Sequence, residues 1–240
     1  MPDLTIVHLY PDLLRTYGDR GNILALKRRA EWRGIDTEVV SVTRGEQLPS
    51  RCQIVFLGGG SDRIQQAIGP DLLPRGRQLS DLTDSGTVVV GVCGGYQMLG
   101  RHYRAVDGSV IEGLGLMDAR TEAGDKRIIG RIRACVRRDG LATSLIGFEN
   151  HAGRTWLGPG AEPLARVENG GGNNGTDGTE GAVHGRIIGT YLHGPVLPLN
   201  PALADWVLRL ALGRDELAPL GDDPERLARS AWPKPKRRAR

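Results

Sequence analysis

The segment Val88-Val-Val-Gly-Val-Cys93-Gly94-Gly95-Tyr96-Gln97-Met98-Leu99 runs from an apolar stretch into a cysteine and then into two glycines. A buried strand that turns abruptly into a helix holds the residue at the turn exposed at the carboxyl end of a sheet, the geometry of a nucleophile elbow. Gly91, Gly94 and Gly95 relieve the steric clash that such a strained turn imposes. The N-terminus of the following helix favours a thiolate over a thiol whose ordinary pKa is about 8.5. These features predict Cys93 as a nucleophile. Cys52 and Cys135 lack any such setting and read as core cysteines.

A cysteine nucleophile needs a neighbouring base, and the chain holds five histidines. His8 lies inside an apolar strand pattern, His102 ends the helix expected after Cys93, and His184 follows a glycine-rich stretch. Each reads as a structural or surface histidine. His193 closes the run Ile187-Ile-Gly-Thr-Tyr-Leu-His193-Gly-Pro195, a strand-to-loop junction from which a side chain can reach across a sheet edge. His151, in Gly147-Phe-Glu-Asn-His151-Ala-Gly-Arg154, is its rival. Spacing alone leaves both open.

The elements that must position these residues follow from periodicity. Leu4 to Tyr10, Thr37 to Val42, Gln53 to Leu57 and Thr87 to Val92 read as strands, the last apolar enough to be buried on both faces. Asp19 or Asn22 can cap a helix whose Ile23, Leu26 and Ala30 share one face and which Gly34 ends. A second helix is expected from Leu72 to Ser85. Strands alternating with helices at this spacing imply an α/β fold, a mostly parallel sheet with helices on both faces. In the second half, Arg131, Arg133 and Arg137 alternate with Ile132, Ala134 and Val136, a strand with one wet face. Gly170 to Gly181 reads as a loop too polar to pack, joining two antiparallel strands, the second being Ile187 to Leu192. Asn200-Pro201 opens a last helix with Leu203, Trp206, Val207 and Leu210 inward. One domain is expected over residues 1–213, with a C-terminal extension over 214–240 that ends in a basic, disordered tail.

Composition narrows the class. Glycine, 35 of 240 residues, is abundant without reaching a low-complexity level. The apolar, uncharged stretch Gly86 to Gly100 is too short to span a membrane. The start, Met1-Pro-Asp-Leu4, lacks a signal-peptide pattern, and three scattered cysteines make no disulfide framework. A soluble, cytoplasmic protein is the expectation. The net charge of +4 suggests nucleic acid, but Lys234, Lys236, Arg237, Arg238 and Arg240 crowd into the last eight residues. Removing these five from 32 basic residues, against 28 acidic ones, leaves −1, so no nucleic-acid partner is expected.

Five segments, taken in order, resemble a known family. Gly91-Val-Cys93-Gly-Gly-Tyr-Gln97-Met-Leu is similar to the nucleophile motif of class I glutamine amidotransferases, and Gly189-Thr-Tyr-Leu-His193-Gly to the histidine segment of their cobyric-acid-synthase-like branch. With Tyr17-Gly-Asp-Arg-Gly-Asn22, Phe56-Leu-Gly-Gly-Gly-Ser-Asp62 and Gly147-Phe-Glu-Asn-His-Ala-Gly-Arg-Thr155, they resemble the GatD family of glutaminase subunits over about residues 4 to 213.

The resemblance implies a flavodoxin-like, class I amidotransferase fold with some antiparallel strands in its second half. It implies that Cys93 attacks the carboxamide of L-glutamine and that His193 serves as its base. It gives the oxyanion to the Gly94 amide and to Gly59 or Gly60, and a substrate contact to Gln97. Arg127, which on residue type alone reads as a surface arginine, becomes a grip for the α-carboxylate. No metal is expected. The implied partner is a Mur-ligase-like synthetase (MurT-like) in a heterodimer, which binds ATP and Mg and amidates the D-glutamate of a lipid-linked stem peptide in peptidoglycan synthesis. This chain would carry no cofactor of its own, having no Gly-x-x-x-x-Gly-Lys-Ser/Thr loop, and would not insert into the membrane. One departure stands out. Many class I relatives carry a glutamate two residues after the histidine, where this chain has Pro195. The third acid then comes from elsewhere in the chain, from the partner, or is not used. The rival expectations are an amidotransferase of a cobyric-acid-type cofactor pathway and a catalytically silent scaffold subunit. A peptidase-like cysteine hydrolase would carry histidine after the nucleophile, where this chain has Gly94.

Overall fold

A computed structural model describes residues 2–231. The basic tail, Pro233 to Arg240, lies outside the described residues. The first half alternates as expected: β1 (Leu4–Leu9), α1 (Arg20–Glu31), β2 (Thr37–Val42), β3 (Ile54–Leu57), α2 (Asp62–Leu72), α3 (Gly76–Asp84), β4 (Val88–Val92) and α4 (Gly94–Leu99). The second half is richer in strands: β5 (His102–Arg104), β6 (Val110–Glu112), β7 (Ala119–Arg138), β8 (Leu141–Leu157), β9 (Ala165–Asn169), β10 (Thr179–Glu180), β11 (Ala182–His184) and β12 (Ile187–Thr190). Three helices follow, α5 (Val196–Leu199), α6 (Pro201–Leu212) and α7 (Asp223–Ala231).

Two six-stranded sheets result. The first has the order β11-β12-β4-β3-β1-β2, parallel throughout except for β11 at one edge. Its central strands are buried on both faces, because alternate side chains feed two separate cores. Ile54 and Phe56 of β3 pack with Ile23 and Leu26 of α1 and Leu203 and Val207 of α6. Val55 and Leu57 pack with Ile68 of α2, Leu79 of α3 and Leu99 of α4. Helices therefore cover both faces, as the uninterrupted apolar runs require. The second sheet is mainly antiparallel and is dominated by the long β7–β8 hairpin.

Several sequence expectations are corrected. Strand β12 pairs parallel with β4, with Thr190 beside Val92; its antiparallel neighbour is the short β11. The expected Leu72–Ser85 helix divides near Pro74, and α2 precedes it. His102 opens β5 and ends no helix. Helix α6 is followed by α7, whose Arg229 donates to the Ser144 and Leu199 carbonyls. The stretch expected to be an unpacked loop is buried at Asn173, Asn174 and Glu180. Side chains there do the work of a regular ladder: Asn174 Oδ1 accepts from the Thr176 and Asp177 amides, and the Glu149 carboxylate accepts from those of Gly171 and Gly172. Asp19 precedes α1 but its side chain does not cap the helix. Among the described residues, no helix is long and apolar enough to cross a membrane.

Candidate active site

Cys93 sits between β4 and α4 with φ +50° and ψ −105°, a backbone state that side chains rarely adopt. Such strain costs on the order of 1–3 kcal/mol and persists only where the surroundings enforce it. The flanking glycines show how they do so. A β-carbon on Gly94 would stand 2.4 Å from the Gly60 carbonyl oxygen, and one on Gly95 2.4 Å from that of Leu57. Glycine thus lets the β3 loop press directly on the elbow. Cys93 lies at a cavity of about 370 Å³ whose lining includes Gly60, Asp62, Gln97, Arg127 and His151.

Arg127 reaches this cavity because β7 loses register between Ala123 and Ile128. Ala123 pairs with Gly153 and Ile128 with His151, so four residues of β7 oppose Ala152 alone and the extra chain bulges outward. Arg127 Nε donates to Asn150 Oδ1 at 2.8 Å and Nη2 to the Asn150 carbonyl at 2.9 Å. The Asn150 amide in turn donates to the Tyr17 hydroxyl. The guanidinium is held at the rim with one face free for an anion.

His193 follows β12, and its backbone is clamped by a reciprocal pair of bonds to Phe148, at 3.0 and 2.7 Å. Its ring packs edge-on to Tyr17, is 1% exposed, and has no hydrogen-bond partner at either nitrogen. Burial lowers its pKa to about 4, so the ring is neutral at pH 7. No hydrogen bond joins it to Cys93. His151, the rival, lines the cavity and is also lowered to about 4, chiefly by burial. However, its Nδ1–H donates to the Gly153 carbonyl at 2.8 Å, and its ring stacks on Tyr191 at 3.7 Å. His8 is buried in β1 beside Phe56, and His184 bonds to the Gly160 carbonyl.

The thiol does not have the depressed pKa expected of a helix N-terminus. Burial and the Asp19 carboxylate push Cys93 up to about 12, against the smaller pull of the Gly94 amide and Arg127. The thiol and both imidazoles are therefore neutral at rest, and of the two histidines His151 shares the cavity lining with Cys93.

Asp19 is the main feature that sequence reasoning missed. Its Oδ2 accepts from the Gly59 amide at 2.5 Å, and Oδ1 from Asn22 at 3.2 Å. A β-carbon on Gly59 would lie 3.1 Å from His193 Cε1 and 3.3 Å from Asp19 Oδ2, so a buried carboxyl flanks the histidine although Pro195 occupies the family's usual acid position. Burial raises Asp19 to about 7. Its bond to Gly59 also uses up that amide, which leaves Gly60 and Gly94 as the amides without a backbone acceptor at the elbow. Gln97 is equally committed: Oε1 accepts from Gln65 at 2.7 Å and Nε2 donates to Tyr191 at 3.2 Å. The network continues through Thr155 to Thr121, making Gln97 a brace from α4, through Tyr191 just after β12, to β8 and β7, as well as part of the cavity wall.

A cysteine at the end of a strand, two backbone amides without a backbone acceptor, a buried histidine and a rim arginine are the groups that acyl transfer from a small amide requires. Comparison with known proteins agrees. Residues 5–201 match the model of the CobB/CobQ-like glutamine amidotransferase domain. The chain is 41% identical over 215 residues to the lipid II isoglutaminyl synthase (glutamine-hydrolyzing) subunit GatD of Staphylococcus aureus, covering 89% of this chain and 86% of that one. It is 38% identical over 226 residues to the subunit of the same name from Streptococcus pneumoniae, covering 92% and 86%. A crystal structure of a glutamine amidotransferase aligns with a TM-score of 0.60 at 23% identity, over 85% of this chain and 98% of that one, and supports the fold. From the elbow at Cys93 to the family match over most of its length, the chain belongs to the CobB/CobQ-like glutamine amidotransferases.

Proposed function

We propose that this chain is a glutaminase subunit that releases ammonia from L-glutamine for a Mur-ligase-like, ATP-dependent synthetase. That partner amidates the D-glutamate of the lipid II stem peptide to D-isoglutamine. The observation that carries the hydrolytic half is Cys93 at a strained elbow, opening on a cavity rimmed by a braced arginine. The acceptor rests on similarity to the two GatD subunits.

The chemistry follows from the resting charges. Cys93 Sγ attacks the carboxamide carbon while His193 accepts the thiol proton, so thiolate and imidazolium arise only as the S–C bond forms. The Gly60 and Gly94 amides meet the developing oxyanion. Collapse breaks the C–N bond, and the imidazolium protonates the leaving nitrogen, giving ammonia and a glutamyl thioester. Water then attacks the thioester, returns its proton through His193 to sulfur, and releases glutamate. Arg127 holds the α-carboxylate throughout. ATP and Mg belong to the partner's step, and this chain needs no cofactor for its own.

Co-purification of the native protein tests the assignment. A Mur-ligase-like ATPase that amidates lipid II with glutamine is the expected companion. A cobalamin-pathway enzyme in its place would overturn the acceptor and leave the glutaminase chemistry standing.

A further inference from the structure

The same cavity carries a second charged group. Asp62, the first residue of α2, lines it together with Cys93 and Arg127, and is the only carboxylate in the lining. Its Oδ2 accepts from the Tyr103 hydroxyl at 3.0 Å, while Oδ1 has no partner among the described residues. Arg127 is arranged in the same way, with Nε and Nη2 bonded to Asn150 and Nη1 free. The two charges share one cavity, yet no ion pair joins them among the described residues. Each is steadied by a neutral neighbour and keeps an unused hydrogen-bonding site.

We propose that Asp62 receives the α-ammonium of the substrate while Arg127 holds its α-carboxylate, so that the site selects free amino-acid zwitterions bearing a terminal carboxamide. The inference rests on the glutaminase reading and adds the basis of its specificity. A carboxylate and an ammonium on one carbon, two methylenes from a carboxamide, fit an arginine and an aspartate at the rim with a thiol below. A glutamine side chain inside a peptide lacks the ammonium and forgoes the charge-assisted bond to Asp62. Arg63 also reaches the cavity, but as a cation it can only assist the carboxylate. Binding would also aid the chemistry. Asp62 opposes thiolate formation at Cys93, and an ammonium placed on it would cancel that opposition just when the substrate arrives.

The test compares wild type, Asp62→Asn and Tyr103→Phe as full chains, each with its synthetase partner, on two amides. One is L-glutamine and the other is 4-carbamoylbutanoate, which lacks the α-amino group. Asp62→Asn is expected to raise KM for L-glutamine by about tenfold or more, with kcat changed less than about threefold. On 4-carbamoylbutanoate, where wild type already has a raised KM, the variant should do at least as well as wild type. Tyr103→Phe should shift KM in the same direction by a smaller factor, again on L-glutamine alone. An unchanged KM for L-glutamine in Asp62→Asn, or an equal loss on both amides, would overturn the proposal. A wild-type complex that hydrolyses no L-glutamine would defeat the glutaminase reading, and this inference with it.

Discussion

Burial, more than any neighbouring charge, sets the protonation of His151 and His193. Both are neutral at pH 7 and could accept a proton, so availability decides between them. His151 donates Nδ1–H to Gly153 and is pinned against Tyr191, which leaves it Nε2 alone, whereas both nitrogens of His193 are unpartnered. His193→Ala should therefore lower glutamine turnover by about 10²–10⁴-fold, the range for loss of a general acid–base. His151→Ala should lower it by about tenfold or less, mainly through KM. Steady-state rates of both variants decide, and the reverse ranking would move the base to His151. Because a base works deprotonated, activity should fall as pH drops toward the lowered pKa of about 4, and the acid limb of kcat/KM should lie below the ordinary histidine range. A limb near 6.5 would show that His193 is not in this buried setting. Cys93 stood out in the sequence because it closes an apolar run just before two glycines; His193 closes one too, but spacing left His151 open beside it and only the resemblance chose between them. Asp19 did not stand out, since its partner Gly59 lies 40 residues away and an aspartate before a helix already has a sufficient local explanation as a cap.

At the scale of elements, the site depends on β12 lying flush against the elbow helix. A β-carbon on Gly189 would fall 2.0 Å from the Tyr96 ring, so a larger residue there would push β12 and His193 away from Cys93. Gly189→Ala should cost about 1–3 kcal/mol of stability, the usual cost of overpacking, along with much of the activity. A thermal midpoint equal to wild type would show that the contact is slack. Glu180 ties β10 to the same strand, accepting from Thr190 Oγ1 and the Tyr191 amide while its Oε2 has no partner. Burial raises its pKa from 4.5 to about 7. Between those values the folded chain keeps a proton that the unfolded chain releases, so this group's contribution to stability falls as pH rises through the window. Glu180→Gln should gain up to about 3 kcal/mol relative to wild type between pH 5 and pH 8, as measured by denaturant unfolding. An equal offset at both pH values would mean that the carboxyl does not carry the proton. The first-half strands could be read directly, because unbroken apolar runs admit few alternatives. The partnering of β12 with β4 and the packing of Gly170 to Gly181 could not, because both rest on contacts distant in sequence that composition does not record.

The whole chain presents a site that is assembled but not engaged. Cys93 and His193 share no hydrogen bond, and Tyr17, which packs on His193, is 46% exposed at the rim. A partner that covers this rim would drive the two groups together and limit wasteful hydrolysis. The chain alone should therefore be a slow glutaminase, strongly stimulated by its synthetase. Turnover with and without the partner tests this, and equal rates would defeat it. The source of the orienting acid separates two accounts. If a partner carboxylate supplies it, changing that residue to alanine should abolish the stimulation. If Asp19 supplies it, Asp19→Asn should lower turnover with and without the partner by the same factor. At this scale the sequence reached least far by physics alone. Parallel topology, the elbow and one strand of the second sheet followed from pattern, while the rest of that sheet had no periodic signature, and resemblance alone pointed to the proposed partner.

The central claim is that Cys93 serves only to release ammonia, the ligase chemistry lying in another chain. The direct measurement is lipid II amidation by the complex carrying Cys93→Ser, supplied with glutamine or with ammonium chloride in turn. Loss of glutamine-dependent amidation with ammonia-dependent amidation retained near the wild-type level is the predicted result. Loss of both, in a complex that still assembles, would contradict that division of labour.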